Sequence, residues 1–340
     1  MNATRDAVDP GAVWRVINGF AGYWIVIAAI RLGVFDTLAS VPMTATELAS
    51  VIGAEACRTA VLADALVATG FLTLEDGRYR LTATADELLV SGRPRSMCDL
   101  VLWSPGPHEN WPALDRIVKG DRAPAAIDDD PGLFYSSLVN ATRPSQLQVA
   151  RTARPHLGLP AGAVVLELGA GGAPWSTAVL ESDPAASATV NDLPGVIGVA
   201  RNALAAVASR CTFLAGDYLD VVIPDSAFDS VVLGHVLRAE PIGRARRLVQ
   251  RAAAALKPGG TLVVAEYLGG RDPSVFVQPA MLAVTMMAAT REGQLCTKES
   301  IHDWLTAAFC RESVRLEPVM NTDLIVATKA PDDLKENHGR

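Results

Sequence analysis

From residue 163 onward the chain alternates short β-rich runs with helical segments, and this alternation restricts the fold more than any other feature of the sequence. The runs are VVLEL (164–168), ATVND (188–192), CTFLA (211–215), SVVLG (230–234) and TLVVAE (261–266). Between them lie STAVLESD, GVIGVARNALAAVASR and RARRLVQRAAAALKPGG. Strands separated by helices pair in parallel, with the helices as crossovers on both faces. After a longer helical insertion, SVRLEP and DLIVATKA predict a closing antiparallel pair. The expected class is α/β, a doubly wound, Rossmann-like sheet.

The first strand runs into a glycine turn, VVLELGAGGAPW. Gly169, Gly171 and Gly172 allow a ligand to approach backbone, and Pro174 suits an early helix position. A dinucleotide turn reads GxGxxG; here Pro174 stands where the third glycine would be, which weakens that reading. Glu167, Asp192 (in NDLPGV, with Leu193 beside it) and Asp217 (in AGDYL) fall at the carboxyl ends of three successive strands, where such sheets bind ligands. Carboxylates only accept hydrogen bonds. They suit a ribose diol, an adenine amine or a cationic head, and they repel a pyrophosphate. S-adenosylmethionine matches that set. The same acids could also serve as helix caps and solvated loop ends.

The first hundred residues read differently. VWRVINGFAGYWIVIAAIRLGVFDTLA predicts helix over 12–40, apolar around most of its circumference and so buried on more than one side. A domain core or a subunit interface would do that. Its most apolar stretch, Gly19–Ile30, ends after 12 residues at Arg31, too short to span a bilayer, so no membrane partner is expected. Thr44 and Glu47 form a capping-box pair, a second helix ends at Gly70, and FLTLEDGRYRLT predicts a hairpin turning at Asp76-Gly77. Helix, helix and hairpin make a winged helix. The helix that would read DNA, EACRTAVLADALVATG, offers one exposed cation, Arg58, and the chain carries a formal net charge of −7. Both argue for a packing or dimerisation role and no nucleic-acid partner. The sequence divides into a winged-helix-like domain, 1–105, and a domain of connecting helices and Rossmann-like sheet, 106–340. The polar tail APDDLKENHGR is expected to fray.

Five scattered cysteines without a CxxC suit a reducing, cytoplasmic setting, and the N-terminus carries acids where a secretory signal has basic residues. His156, His302 and His338 show no metal spacing, so no metal is expected.

With ELGAGG, NDLPGV, AGDYL, ALKPGGTLVVAE and MLAVTMMA in this order, the chain resembles the bacterial S-adenosylmethionine-dependent O-methyltransferases of the caffeate, hydroxyindole and polyketide-tailoring type. The resemblance covers nearly the whole chain. It implies a homodimer formed through the N-terminal domain, with Gly169 and Gly171 against the cofactor's amino-acid moiety and Asp192 on its ribose. It places Asp217 on the adenine amine with Tyr218 stacked on the ring. Phe134, Leu138, Met286 and Met287 fall where the family has apolar walls for a small aromatic acceptor.

The sequence departs from the family in LGHVLRAEP (233–241). Where relatives read VLHDW, this chain reads VLRAE. Arg238 replaces the histidine base, Ala239 its aspartate neighbour and Glu240 the tryptophan. Glu266 keeps the position of an acid that flanks that histidine, and a second family acid is Leu295 here. An arginine takes no proton. Arg238 either binds an anionic acceptor or forms a structural pair with Glu266. His235, His108 and Glu109 are candidate substitute bases. Methyl transfer to an acidic phenol or a carboxylate needs no base, because alignment of an activated donor supplies much of the rate. Three functions follow: O-methylation of a small aromatic or carboxylic natural-product intermediate, C- or N-methylation, or a non-methylating reaction that uses the cofactor's charge (a cyclisation, rearrangement or hydroxylation). A winged-helix regulator with a metabolite-sensing second domain is a fourth, from another class.

Overall fold

A computed structural model describes residues 8–103 and 108–331. His338, most of the polar tail and the start of the N-terminus lie outside these residues. The chain divides into two compact units, Met1–Ser104 and Pro105–Arg340.

The first unit opens with helix α1, Pro10–Arg31, capped by Asp9, whose carboxylate accepts from the Gly11 amide, with Pro10 at the first position. The single helix expected over 12–40 is two. The chain turns at Gly33, where φ is 70°, a conformation glycine adopts without steric cost, and α2 follows as Val34–Leu38. Burial of α1 also differs from expectation. Only Val26, Ile27 and Ala29 are buried, while Trp14 is 60% and Phe20 71% exposed. The unit therefore packs one end of an apolar helix and leaves the rest in the open. At 22 residues, with a mean hydropathy of 1.5 over its most apolar 18, α1 is by length and composition also long and apolar enough to cross a membrane, so the argument from a 12-residue stretch fails. A helix that packs on a partner passes the same test.

Helix α3, Ala45–Ile52, begins with the expected capping box. Thr44 Oγ1 accepts from the Glu47 amide (3.3 Å) and Glu47 Oε2 from the Thr44 amide (2.8 Å). Helix α4, Ala56–Ala68, leads through Gly70 to the hairpin of β1, Leu72–Glu75, and β2, Arg78–Leu81. Asp76 and Gly77 both have positive φ (49° and 73°), as the tight hairpin turn requires. Met43 bridges to Tyr79 and widens the wing. Phe35, Leu48, Leu66 and Leu72 are fully buried at its centre. Helices α5, Ala83–Leu88, and α6, Cys98–Trp103, complete the unit.

The second unit has two connecting helices, α7, Leu114–Val118, and α8, Pro131–Ala153. Strand β3, Val164–Leu168, is followed by α9, Pro174–Ser182; β4, Ser187–Asp192; α10, Ile197–Ala203; β5, Cys211–Ala215; and β6, Phe228–Gly234. Then come α11, Ile242–Ala255; β7, Leu256–Glu266; α12, Val277–Ala289; α13, Lys298–Ala307; β8, Cys310–Arg315; and β9, Asp323–Lys329. The sheet order is β5-β4-β3-β6-β7-β9-β8, parallel through β7, with β9 antiparallel to both its neighbours. Alternation along each strand feeds two cores. Val231 and Leu233 of β6 pack with Leu248 of α11 and Leu305 of α13, whereas Val232 packs with Ala150 of α8 and Trp175 of α9. The strand order reverses between β4-β3 and β6-β7, so the carboxyl ends there flank a crevice.

Candidate active site

The glycine turn sits at the carboxyl end of β3. Gly169 and Gly171 are left-handed, with φ of 60° and 56°. A Cβ at Gly169 would lie 2.8 Å from Val236 Cγ2, at Gly171 2.8 Å from Val139 Cγ1, and at Gly172 2.6 Å from Arg143 Cδ. Conformation demands glycine at 169 and 171, and Val236 and the close passage of α8 crowd the turn. Arg143 also donates from Nε to the Gly172 carbonyl (2.9 Å) and from Nη2 to Thr177 Oγ1 (3.3 Å), which fixes a cation against the turn.

The three acids at the strand ends differ. Glu167 is 2% exposed. Its Oε2 accepts from the Ser176 amide (2.7 Å) and hydroxyl (2.6 Å), and its Oε1 from the Trp175 amide (3.3 Å). It accepts from the first amides of α9 and so braces the turn, with Oε1 holding a single bond. Burial outweighs those bonds and pushes its carboxyl up to about 7. Asp192 accepts from the Gly171 amide on Oδ2 (2.6 Å) and the Leu193 amide on Oδ1 (2.7 Å), and burial pushes it up to about 6. Asp217 accepts from the Leu219 amide on Oδ1 (2.8 Å) and from Arg244 Nη2 on Oδ2 (2.7 Å). Asn191 Nδ2 donates to the carbonyls of Leu214 and Gly216, which ties the end of β4 to the end of β5 and so spaces Asp192 from Asp217. A carboxylate oxygen takes two hydrogen bonds, so Asp192 and Asp217 retain acceptor capacity. Two such acceptors, a glycine-rich turn and a nearby guanidinium suit the hydroxyls, amine and carboxylate of S-adenosylmethionine.

Across the reversal point, the segment after β6 makes a tight turn. His235 is left-handed (φ 59°), donates its amide to the Ala265 carbonyl (2.8 Å) and is buried. Its ring lies 4.9 Å from that of Tyr267, with Nδ1 3.6 Å from Glu266 Oε1 and Nε2 3.5 Å from Thr322 Oγ1. Burial first, and Arg238 second, hold its pKa below the usual value. Arg238 donates from Nη1 to Glu266 Oε1 (2.7 Å) and from its amide to Oε2 (3.3 Å). The side chains are 14% and 1% exposed. Burial alone would raise the Glu266 carboxyl, but Arg238 and His235 outweigh it and hold it at about 2. Arg238 and Glu266 are thus a buried ion pair.

Two family models match, an O-methyltransferase dimerisation domain over residues 14–91 and an O-methyltransferase domain over 142–310. The chain belongs to the O-methyltransferase family. It is a methyltransferase with a dimerisation domain towards its N-terminus. It is 28% identical over 302 residues to a 3-hydroxy-5-methyl-1-naphthoate 3-O-methyltransferase of Streptomyces sahachiroi, covering 84% of this chain and 85% of that one. It is 27% identical over 260 residues to the N,N-dimethyltransferase OxyT of Streptomyces rimosus, covering 73% and 74%. In fold it is similar to human N-acetylserotonin methyltransferase solved with S-adenosylmethionine, with a TM-score of 0.80 at 24% identity over 96% of this chain and all of that one.

For an O-methyltransferase, the remaining expected residues fall in varied places. Phe134 and Leu138 lie half-buried on α8; on α12, Met286 is 6% exposed and Met287 39%. His108 opens a short 3₁₀ turn, His108–Ala113, whose buried residues are Asn110 and Ala113. Asn110 donates to the carbonyls of Ala125 (2.7 Å) and Ala288 (2.8 Å), clamping the connector to α12, and the sequence reading did not include it. Nor did it include Tyr135. Burial pushes that hydroxyl's pKa above the usual range, while Arg238 pulls it down and Glu240, Asp128 and Asp192 push it further up. Tyr135 therefore lies within the fields of both the 235–240 turn and Asp192. Tyr135, Val139 and Arg143 recur every fourth residue along one face of α8, and that periodicity is the signal in the sequence that would have found them. Tyr218 is 9% exposed, its hydroxyl donates to Glu240 Oε1, and the Arg244 guanidinium lies 5.8 Å from its ring.

Proposed function

We propose that this methyltransferase O-methylates a small aromatic or carboxylic natural-product intermediate whose acceptor oxygen ionises without help from a protein base. The observation that carries the reading is the buried Arg238–Glu266 pair at the position of the family's histidine. Glu266 is held ionised by a cation that cannot deprotonate anything. His235 is enclosed by Tyr267, Thr322 and Glu266, which suits a residue that positions Glu266 better than one that meets an acceptor. Arg238, with donors beyond Nη1, can face an anionic oxygen. Phe134, Leu138, Met286 and Met287 would supply apolar walls.

Bound S-adenosylmethionine supplies an electrophilic methyl group. Asp192 and Leu193 would hold its ribose, Asp217 and Tyr218 its adenine, and Gly169, Gly171, Gly172 and Arg143 its amino-acid end. The naphthoate methyltransferase relative acts on a substrate that bears both a hydroxyl and a carboxylate, as its name states. Calorimetry with S-adenosylhomocysteine, followed by release of that product with phenols, aromatic carboxylates and amines, tests the reading. A methyl ether or ester is expected, and methylated carbon would contradict it. N-methylation is the second reading, favoured by the similarity to an N,N-dimethyltransferase. A neutral amine also needs no base, and a methylated amine as product would select this reading. The enzyme is proposed to work as a cytoplasmic homodimer through residues 14–91, with neither nucleic acid nor membrane as partner.

A further inference from the structure

We propose that Glu240 and Arg244 are positioning residues that brace Asp217 and Tyr218, the purine-side wall of the cofactor site. The inference rests on the reading of Asp217 and Tyr218 as that wall. Four side chains close a circuit. Arg244 donates from Nη2 to Asp217 Oδ2 (2.7 Å) and from Nε to Glu240 Oε2 (2.5 Å), while Tyr218 donates its hydroxyl to Glu240 Oε1. Asp217 and Tyr218 are adjacent in the chain, so the circuit returns to its start. Its members come from the segment after β5, the turn after β6 and the first turn of α11.

Arg244 breaks a local rule. The first turn of α11 holds no acid, and a cation there opposes the positive end of the helix dipole. Two carboxylates compensate it. None of the four is in the open: side-chain exposure is 33% for Arg244, 31% for Asp217 and 17% for Glu240, and Tyr218 is buried. The family's tryptophan at position 240 could make no such circuit, since an indole only donates. The Tyr218 ring is held at its hydroxyl end by Glu240 and covered by Arg244. The Asp217 carboxylate is held from both sides, by Leu219 and Arg244. A ligand that meets a wall already set loses less side-chain entropy on binding. The orientation of Asp217 also decides whether the purine C6 substituent must be a donor. The brace thus serves selection of an amino purine over an oxo purine, and through Glu240 it sits in the same turn as Arg238.

Calorimetry with S-adenosylhomocysteine and S-inosylhomocysteine tests this, on the full-length wild type and on Glu240→Gln and Arg244→Met. The wild type should prefer the adenosyl ligand by about tenfold or more, as expected when a half-buried acceptor loses its donor. Both variants should lower that preference to about threefold or less. Should Arg244→Met fail to fold, the near-isosteric Glu240→Gln carries the test. Equal weakening of both ligands with the preference kept would mean mere structural support and would overturn the proposal, as would unchanged affinities. If the wild type bound neither ligand, the cofactor reading itself would fall, and the brace with it.

Discussion

Arg238 and Glu266 show how one substitution changes what a turn can do. A histidine beside a buried glutamate can take a proton; an arginine there can only hold charge. The pair's stability has a defined pH window. The Glu266 carboxyl is depressed to about 2 in the folded protein, below its unfolded value near 4.5. Its contribution is therefore fully present above the unfolded value and is lost as pH falls from there towards 2. Arg238→Ala strands a buried carboxylate, which should cost about 3–5 kcal/mol at neutral pH. In thermal denaturation, the gap between variant and wild type should narrow as pH falls through that window. A gap that stayed constant would assign the loss to packing. Asp192 behaves oppositely, because burial raises it to about 6. If its ionised form accepts from the ribose, affinity for S-adenosylhomocysteine should weaken as pH falls through 6, and Asp192→Asn should remove that dependence while lowering affinity at pH 8. Equal affinities at pH 5 and 8 in the wild type would take the ribose from Asp192.

At the scale of the elements, α8 and the glycine turn form one fitted surface, with Val139 over Gly171 and Arg143 over Gly172. Gly171→Ala adds a methyl at φ 56° against Val139, so strain and overpacking together should cost about 2–4 kcal/mol of stability, read from denaturant unfolding. A loss within experimental error would mean α8 moves freely. The strands, the capping box at Thr44 and the hairpin turn at Asp76-Gly77 follow from local rules of period, capping and turn chemistry. They can be read from the sequence because a few neighbouring residues decide them. The break of the first helix at Gly33 could be read the same way, since a glycine in an apolar run is a frequent stop. Tertiary features could not be read so. That Glu167 braces α9 through the amides of Trp175 and Ser176 shows only once the turn is folded. Glu240 looks like a lost tryptophan until Tyr218 and Arg244 close on it. These depend on which strand ends are neighbours, and composition does not state that.

For the molecule as a whole, the exposed apolar length of α1 and the match of residues 14–91 to a dimerisation domain belong together. Trp14 and Phe20 contribute apolar surface that water covers poorly, and large aromatic side chains carry much of the energy of interfaces. Changing both to Ser should convert a dimer to a monomer in sedimentation at micromolar concentration. A monomeric wild type, or a dimeric variant, would place the interface elsewhere. In the proposed reading, the sheet, its crevice and the 235–240 turn serve one chemistry, transfer to an acceptor that arrives ionised. The most direct test is the pH dependence of S-adenosylhomocysteine release at saturating cofactor, from pH 6 to 9, over phenols of graded acidity. The account predicts that the apparent pKa of the rate follows each acceptor's own pKa. A single apparent pKa, the same for every acceptor, would reveal a protein base and contradict it.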